Sequence, residues 1–575
     1  MKDGDFTWLI LRAMPRTLPR LAAAALLLAA TIAQAATGVP LRLIAINDFH
    51  GNLEPANLSL ALPDPDDATK TLRVAAGGAP ALAGLVHALR DGAPHSLVLS
   101  AGDLFGASPL VSTLFRHDST IQVMNAIGLE LDALGNHEFD AGVAELQRAG
   151  TAAKFPFLAA NVVDAASGRP PFAPYVIKRY GGIRVGIIGA VTKSTPGIVV
   201  PSGVAGLRFV DEAEAVNRAA RELKRQGVEA IVAVFHEGGE QRGDWNDERC
   251  PGAHGPIFDI ARRLAPEISV IFSGHTHQGY RCMVDGRLIT QGTSYGRGIS
   301  VVDVVLDPKT QAIDARHTRS INLPVLNERS DAAARERLIA ATPAPYADAL
   351  RAAKPDAAVA QQVARYAAEV APKAQAPVGR ITARFTRGAH GDGDSAAGRL
   401  IADAQLAATR EASQGGAQIA LMNPGGIRSD LDCNGAPPCT VTYGQLFTMQ
   451  PFGNSLVVLS LSGAQLKALL EAQQRRSDGE PRFMQPSEGF GYAWQADAPA
   501  GERVREMRLN GEPIAPTQRL RVTVNSFLAE GGDGFTVLRE AGERIGGPQD
   551  LEAMLAYLKA HPLLAPSTEA RIRRR

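Results

Sequence analysis

The chain has 575 residues, which at about 150 residues per domain corresponds to three or four domain-sized pieces or two large ones. With 45% hydrophobic and 21% charged residues it is globular, and disordered, fibrous and collagen-like states are excluded. Lys and Arg number 60 against 59 Asp and Glu, a formal charge of +1, so the broad positive field of nonspecific nucleic-acid binding is lacking and no nucleic-acid partner is expected.

The first segment carries Arg12, Arg16 and Arg20, then an apolar run from Leu21 to Ala33, then the small-residue triplet Ala33-Gln34-Ala35. That order is the signature of a secretory signal over 1–35, cut after Ala35, and the run falls short of the roughly 20 apolar residues a membrane-spanning helix needs. With no cysteine for lipidation near the cleavage point and no hydrophobic tail after Leu564, a periplasmic or secreted protein without stable membrane insertion is expected. Exported chains oxidise their thiols, so Cys250, Cys282, Cys433 and Cys439 point to two disulfides with three possible connectivities. The preferred pairing is Cys250 with Cys282 and Cys433 with Cys439, the second closing a loop that contains glycine and prolines suited to a tight turn.

After the signal, apolar runs of strand length alternate with helical patterns, as in a layered α/β domain. Five strands are predicted at Leu41–Ile46, Leu97–Ser100, Val185–Ala190, Ala230–Phe235 and Ser269–Phe272, with an amphipathic helix over Glu212–Arg225. The chain then turns alanine-rich with scattered prolines, and Asp356–Val370 reads as a connecting helix. This sets the boundaries of a first domain at 36–325, a linker at 326–377 and a second domain at 378–575. In the second domain the pattern predicts helices over Ser395–Ala412 and Gln465–Gln474 and strands over Gln418–Met422, Leu456–Leu461 and Leu520–Asn525. Arg571, Arg573, Arg574 and Arg575 read as a solvated tail. No fixed-period repeat is present.

Polar residues of the first domain recur where an apolar strand has just ended: Asn47-Asp48-Phe49-His50, Gly102-Asp103, Gly135-Asn136-His137-Glu138-Phe139-Asp140, His236, and Gly274-His275-Thr276-His277. Sites in α/β sheets form outside the carboxyl ends of strands, so these five clusters can converge. Taken singly, each residue reads as a cap, a turn residue or a core histidine; taken together, carboxylates, imidazoles and an amide are ligands for divalent Zn, Mn, Fe or Co. A two-ion centre activates water and clamps phosphoryl oxygens. Asp103 is the candidate bridge, and Gly102, Gly135 and Gly274 would let the backbone close around the ions. His137 is free to face a substrate, with Asp140 holding it; Asp140 also reads as the cap of a helix starting near Ala141, and the two uses can coexist.

These motifs, above all Gly135-Asn136-His137-Glu138-Phe139-Asp140, resemble those of calcineurin-like metallophosphoesterases, specifically the secreted 5′-nucleotidase family. The resemblance implies an α/β fold: an N-terminal sandwich of sheets flanked by helices, joined by a helical linker to a smaller α/β substrate-binding domain. It implies one metal on Asp48, His50, Asp103 and His277 and a second on Asp103, Asn136, His236 and His275, with His137 and Asp140 as a catalytic dyad. The expected reaction is in-line attack on phosphorus by a metal-activated hydroxide, with His137 stabilising charge or protonating the leaving oxygen.

In the second domain, Asn423–Arg428, Pro451–Asn454 and Asn525–Phe535 lie beside predicted strands. Phe452 and Phe527 read equally as core residues and as two faces for a flat base, each base stacked on an aromatic gaining about 1–3 kcal/mol. The resemblance implies the second reading, with Asn423, Gly426, Arg428, Phe452, Phe527 and Asp533 contacting the base, ribose and phosphate of a small nucleotide substrate. Where many members carry a phosphate-contacting arginine this chain has Gly391-Asp392-Gly393-Asp394-Ser395, leaving Arg387 or Arg399 as substitutes. Alternatives to phosphate release from 5′-nucleotides are a 2′,3′-cyclic-nucleotide 2′-phosphodiesterase with 3′-nucleotidase activity, a UDP-sugar hydrolase, a sulfur-ester hydrolase, and a noncatalytic nucleotide-binding or adhesion module. Metal centre and substrate clamp fall in different domains, so the linker is where rotation would bring them together.

Overall fold

The computed structural model describes residues 38–55, 58–199, 201–388, 393–473 and 481–575. The export signal expected over 1–35 lies outside the described residues, as do Gly391 and Asp392 and the last residue of the helix expected to end at Gln474.

Two six-stranded sheets form the first domain. One places Arg319–Pro324, Gly298–Leu306, Val39–Ile46, Ser96–Ser100, Leu131–Ala133 and Phe157–Leu158 side by side; the other, Gly279–Val284, Arg287–Gly292, Ile268–Ser273, Ala230–His236, Ile183–Val191 and Tyr175–Tyr180. The inner strands of each sheet pair in parallel and the flanking hairpins antiparallel. Leu43, Leu99, Ile187, Val232 and Phe272 fill the space between the sheets. Alternate residues of the same strands meet helices on the outer faces: Ala79–Asp91 and Asp118–Ile127 over the first sheet, Glu212–Arg225 and Pro256–Arg262 over the second. Burial on both faces is why these strands read as continuous apolar runs rather than alternating ones.

The helix Glu212–Arg225 has the bounds its pattern predicts: the Asp211 carboxylate accepts the Glu214 N–H at 3.0 Å, Glu212 and Glu214 open the first turn, and Lys224 and Arg225 close the last. Each satisfies an orphan backbone group or complements the helix dipole. The connecting helix runs further than expected, Ala357–Ala374, capped by Asp356 with Pro372 in its last turn, and its Val363 and Val370 pack into the first domain's outer core. The helix after Asp140 starts at Val143 with Gly142 at its cap and no side-chain bond, so the capping use of Asp140 is not realised. Cys250–Cys282 and Cys433–Cys439 both form, with Cα atoms 5.5 and 5.2 Å apart.

The second domain contains a five-stranded sheet ordered Gln485–Pro486, Ile419–Met422, Arg519–Asn525, Ser455–Ser462 and Gly542–Gln549, and a four-stranded one ordered Glu512–Pro513, Val504–Leu509, Phe490–Trp494 and Ile572–Arg574. The last strand corrects the solvated-tail reading. Ile572 is fully buried, Arg571 forms a two-pronged pair with Asp403 at 2.7 and 2.8 Å, and Arg573 and Arg575 both reach Glu506. Partnered charges let an arginine-rich segment become a strand. Trp494, fully buried against Phe483 with ring centres 5.4 Å apart, anchors the core. Trp494→Ala is expected to cost about 3–5 kcal/mol, visible as a lowered denaturant midpoint by circular dichroism; an unchanged midpoint would contradict this packing.

Candidate metal centre

Parallel strands from both sheets end at one rim, and the loops there are stitched together by backbone bonds. The Asp48 N–H donates to Gly102 O at 2.9 Å, His50 N–H to Asp103 O at 2.9 Å, and Tyr295 N–H to Asp48 O at 2.7 Å. Turning a strand inward within one or two residues requires the left-handed backbone region, and Asp48, His50, Asp103, His275 and His277 all occupy it, with φ from 48° to 72°. Five non-glycine residues in that strained region at one rim mark a site held by its surroundings. The glycines act as expected: a Cβ on Gly135 would lie 2.2 Å from Asp103 Oδ1, and one on Gly102 2.5 Å from His236 Nδ1.

Six of the seven residues expected as ligands meet in two groups, with Asn136 beside the second. Asp48, His50 and His277 form one and Asp103, His236 and His275 the other, each with candidate ligand atoms within 4.8 Å of one another. Asp103 Oδ2 connects them, 3.5 Å from His50 Nε2 and 3.1 Å from His236 Nε2. Asn136 Oδ1 lies 3.1 Å from His236 Nε2 and 3.0 Å from His275 Nδ1. His50 and His236 each give their other nitrogen, Nδ1, to a backbone carbonyl, Gly106 and Ala101, at 2.8 Å. Such a bond fixes the tautomer and turns the Nε2 lone pair inward. His50 Nε2 then lies 3.2 Å from His277 Nε2, two imidazole nitrogens close enough to share a cation.

Electrostatics agree with that reading. Burial pushes His50, His277 and His275 down, the last to about 4, so these rings are neutral donors. Burial opposes charge on His236 as well, yet Asp103 and Asp48 outweigh it and push His236 up to about 10. Without an ion Nε2 of His236 is therefore protonated, facing the Asn136 and Asp103 oxygens; a cation bound there would replace that proton and meet the lone pair. Asp103, despite its burial, is held well below the ordinary carboxylate range by His236, His137 and His50.

His137 Nδ1 lies 2.7 Å from Asp140 Oδ2, and the His137 N–H donates to Asp103 Oδ1 at 2.9 Å. Sequence reasoning passed over Glu138. It is 2% exposed and its carboxylate accepts the N–H groups of Asp103, Leu104, Phe105 and Gly135 at 2.7–3.2 Å, clamping the two loops that carry Asp103 and Asn136. Its place inside the Gly135–Asp140 motif, between His137 and Asp140, was the available signal.

The second domain closes over this rim, leaving a cavity of about 750 Å³ whose walls come from both domains. All six residues expected to touch substrate, Asn423, Gly426, Arg428, Phe452, Phe527 and Asp533, line it. The Phe452 ring stacks on His137 with centres 5.7 Å apart, and Arg428 Cζ lies 5.8 Å from the same ring. The Asn423 amide donates to Asp533 Oδ2 at 2.8 Å and accepts from Asn525 at 3.0 Å, which fixes its orientation. Of the two substitute arginines, Arg399 is buried on Asp394 at 2.8 Å and Ser567 O at 2.6 Å, whereas Arg387 lines the cavity and donates to Arg428 O at 2.7 Å. Asn454, not singled out from sequence, also lines it.

Comparison with known proteins agrees with this architecture. Residues 41–279 match the family described as calcineurin-like phosphoesterase, and residues 374–540 the family described as 5′-nucleotidase, C-terminal domain. The chain is 32% identical over 536 residues to Endonuclease YhcR of Bacillus subtilis, covering 91% of this chain and 40% of the length of that larger protein. It is 30% identical over 596 residues to the Probable 5′-nucleotidase of Treponema pallidum, covering 92% of this chain and 94% of that protein. The crystal structure of a 5′-nucleotidase precursor from Thermus thermophilus superposes with a TM-score of 0.75 at 29% identity, over 93% of this chain and 99% of that one. A metallophosphoesterase domain carrying two candidate metal groups, followed by a domain that closes over them, thus identifies the chain as a member of the 5′-nucleotidase family.

Proposed function

We propose that the protein is a metal-dependent hydrolase that releases phosphate from nucleotides, and that 36–325 and 378–575 are its metal and substrate domains, joined by 326–377. One observation carries the reading: Asp103 lies between the two candidate metal groups, beside a His137–Asp140 pair on which the second domain lays Phe452. In this proposal Asp48, His50, Asp103 and His277 hold one ion and Asp103, Asn136, His236 and His275 the other, each ion being Zn, Mn, Fe or Co. Such ions, when bound, supply Lewis acidity and lower the pKa of water.

The remaining work falls to this chain's own groups. Arg428 and Arg387 carry fixed positive charge on the cavity wall and orient a phosphate. Phe452 and Phe527 present π-faces to a base, and Asp533, oriented by Asn423, accepts from ribose hydroxyls. His137, kept in one tautomer by Asp140, presents Nε2 to the leaving oxygen as a proton donor; the carboxylates of Asp140 and Asp103 favour its charged form and outweigh its burial. An intact dyad is unneeded in a module that only binds. The N-terminal Arg and Ala-x-Ala pattern supports export, and no helix among the described residues is long and apolar enough to cross a membrane.

With AMP as substrate, phosphate release is expected to disappear on chelation, to return with added Mn²⁺, and to fall about 10²–10⁴-fold in His137→Ala; retained turnover in that variant would remove the dyad from the mechanism. Glu138→Gln weakens the clamp on both ligand loops without touching a ligand. It is expected to lower metal affinity about 10–100-fold, and calorimetric Mn²⁺ titration equal to wild type would refute the clamp.

A further inference from the structure

One wall of the cavity belongs to neither the metal groups nor the base-stacking loops. The segment from Thr192 leaves the end of strand Ile183–Val191 beside His236, whose carbonyl accepts the Thr192 N–H at 2.9 Å. It is internally braced: Thr195 Oγ1 donates to Thr192 O at 2.7 Å, and the buried Glu212 carboxylate accepts the Lys193 N–H at 2.6 Å. Further along, Gly203 packs so tightly on the dyad segment that a Cβ there would lie 2.4 Å from Phe139 O. Between these anchors the short helix Thr195–Ile198 crosses the domain boundary and packs against Gly532–Gly534, the turn that carries Asp533. Ile198 and Val199 line the same cavity as Asp533, Asn423 and Phe527.

We propose that the Thr195–Val199 segment is a rigid apolar stop on the ribose-hydroxyl edge of the substrate, making the site selective for nucleotides whose 2′ and 3′ oxygens are free. This rests on the reading of Asp533 as the ribose-binding carboxylate. With Asp533 holding the ribose, a group on the 2′ or 3′ oxygen would meet the wall that Ile198 supplies beside the Asp533 turn, whose apolar side chain offers a phosphate no donor in exchange for the water it loses. A free hydroxyl needs no such room and hydrogen-bonds to Asp533 instead. Discrimination therefore comes from a repulsive surface supplied by the metal domain, added to the attractive contacts of the substrate domain. The stop exists only with the domains together, so selectivity and closure are the same event. It excludes 3′-phosphorylated nucleotides and any polynucleotide continuing from the 3′ oxygen, whereas the base sandwich alone would accept them.

The test compares AMP with adenosine 3′,5′-bisphosphate in wild type, Ile198→Gly and Ile198→Trp, measuring release of the 5′-phosphate by Mn²⁺-loaded full chain and binding of both ligands to metal-free full chain by calorimetry. Wild type is expected to favour AMP at least tenfold in kcat/KM and in Kd. Ile198→Gly should narrow both ratios at least fivefold, and Ile198→Trp should leave the bisphosphate excluded. Equal ratios in wild type and Ile198→Gly, with AMP still turned over, would overturn the stop and leave the hydrolase reading standing. If neither compound is hydrolysed by wild type while the binding ratio still narrows in Ile198→Gly, the hydrolase reading fails and the stop survives; if neither ratio moves, both fail.

Discussion

The structure turns on the burial of two carboxylates, Asp48 and Asp103, at a point where strands of two different sheets end. Each is at most 2% exposed, and a buried charge without a partner costs several kcal/mol. The surroundings answer that cost in part: the Asn47 amide donates to Asp48 at 2.7 Å, the His275 N–H at 3.0 Å, and the His137 N–H to Asp103 at 2.9 Å. Three of the nearby imidazoles are neutral, whereas His236 carries charge against both carboxylates, and a cation bound there would take over that role. Sheet order, left-handed turns, excluded Cβ atoms and the Glu138 clamp all bring unlike chain segments to that one electrostatic arrangement. In the proposed function, ion binding there would be coupled to the stability of the rim, because the candidate ligands are presented by strained turns that bound ions would tie together.

The second domain answers the same charge problem from the other side. In the proposed function, bound ions and Arg428 would together make a positive enclosure, and the Arg428 charge is among the causes that hold His50 and His277 down. An anionic substrate would complete that enclosure, with Phe452, stacked over His137, beside its reacting end. Neither domain alone has a cavity of this kind, since its walls alternate between them.

Much of this was legible in the chain. The five strand ends could be located because apolar runs stop abruptly at Asp48, Asp103, Asn136, His236 and His275, and both disulfides followed from cysteine placement. Membership of one sheet or two was not legible from the strands, because a strand buried between sheet and helix has the same composition in either. Glu138 escaped notice because its partners are backbone N–H groups brought to it only by tertiary folding. The same limit applied to Arg387 and Arg399: the chain lists two arginines, and only packing shows that one is spent on Asp394. The strand Ile572–Arg574 read as a tail because its compensating acids, Asp403 and Glu506, lie far away in sequence.

The pairing of Val39–Ile46 with Gly298–Leu306 has a consequence for how the molecule is made. Arg42 and Asp303, joined at 2.7 Å, are 261 residues apart, and the strand that delivers Asp48 and His50 pairs on one side with this late partner. At about 5–20 residues per second of synthesis, the first strand waits roughly 13 to 50 s for it to appear, with that hydrogen-bonding edge open. Contacts of such long separation slow folding. The first ligand-bearing strand is therefore among the earliest parts of the domain to be synthesised; one edge pairs early with Ser96–Ser100, and the other is among the last to be secured.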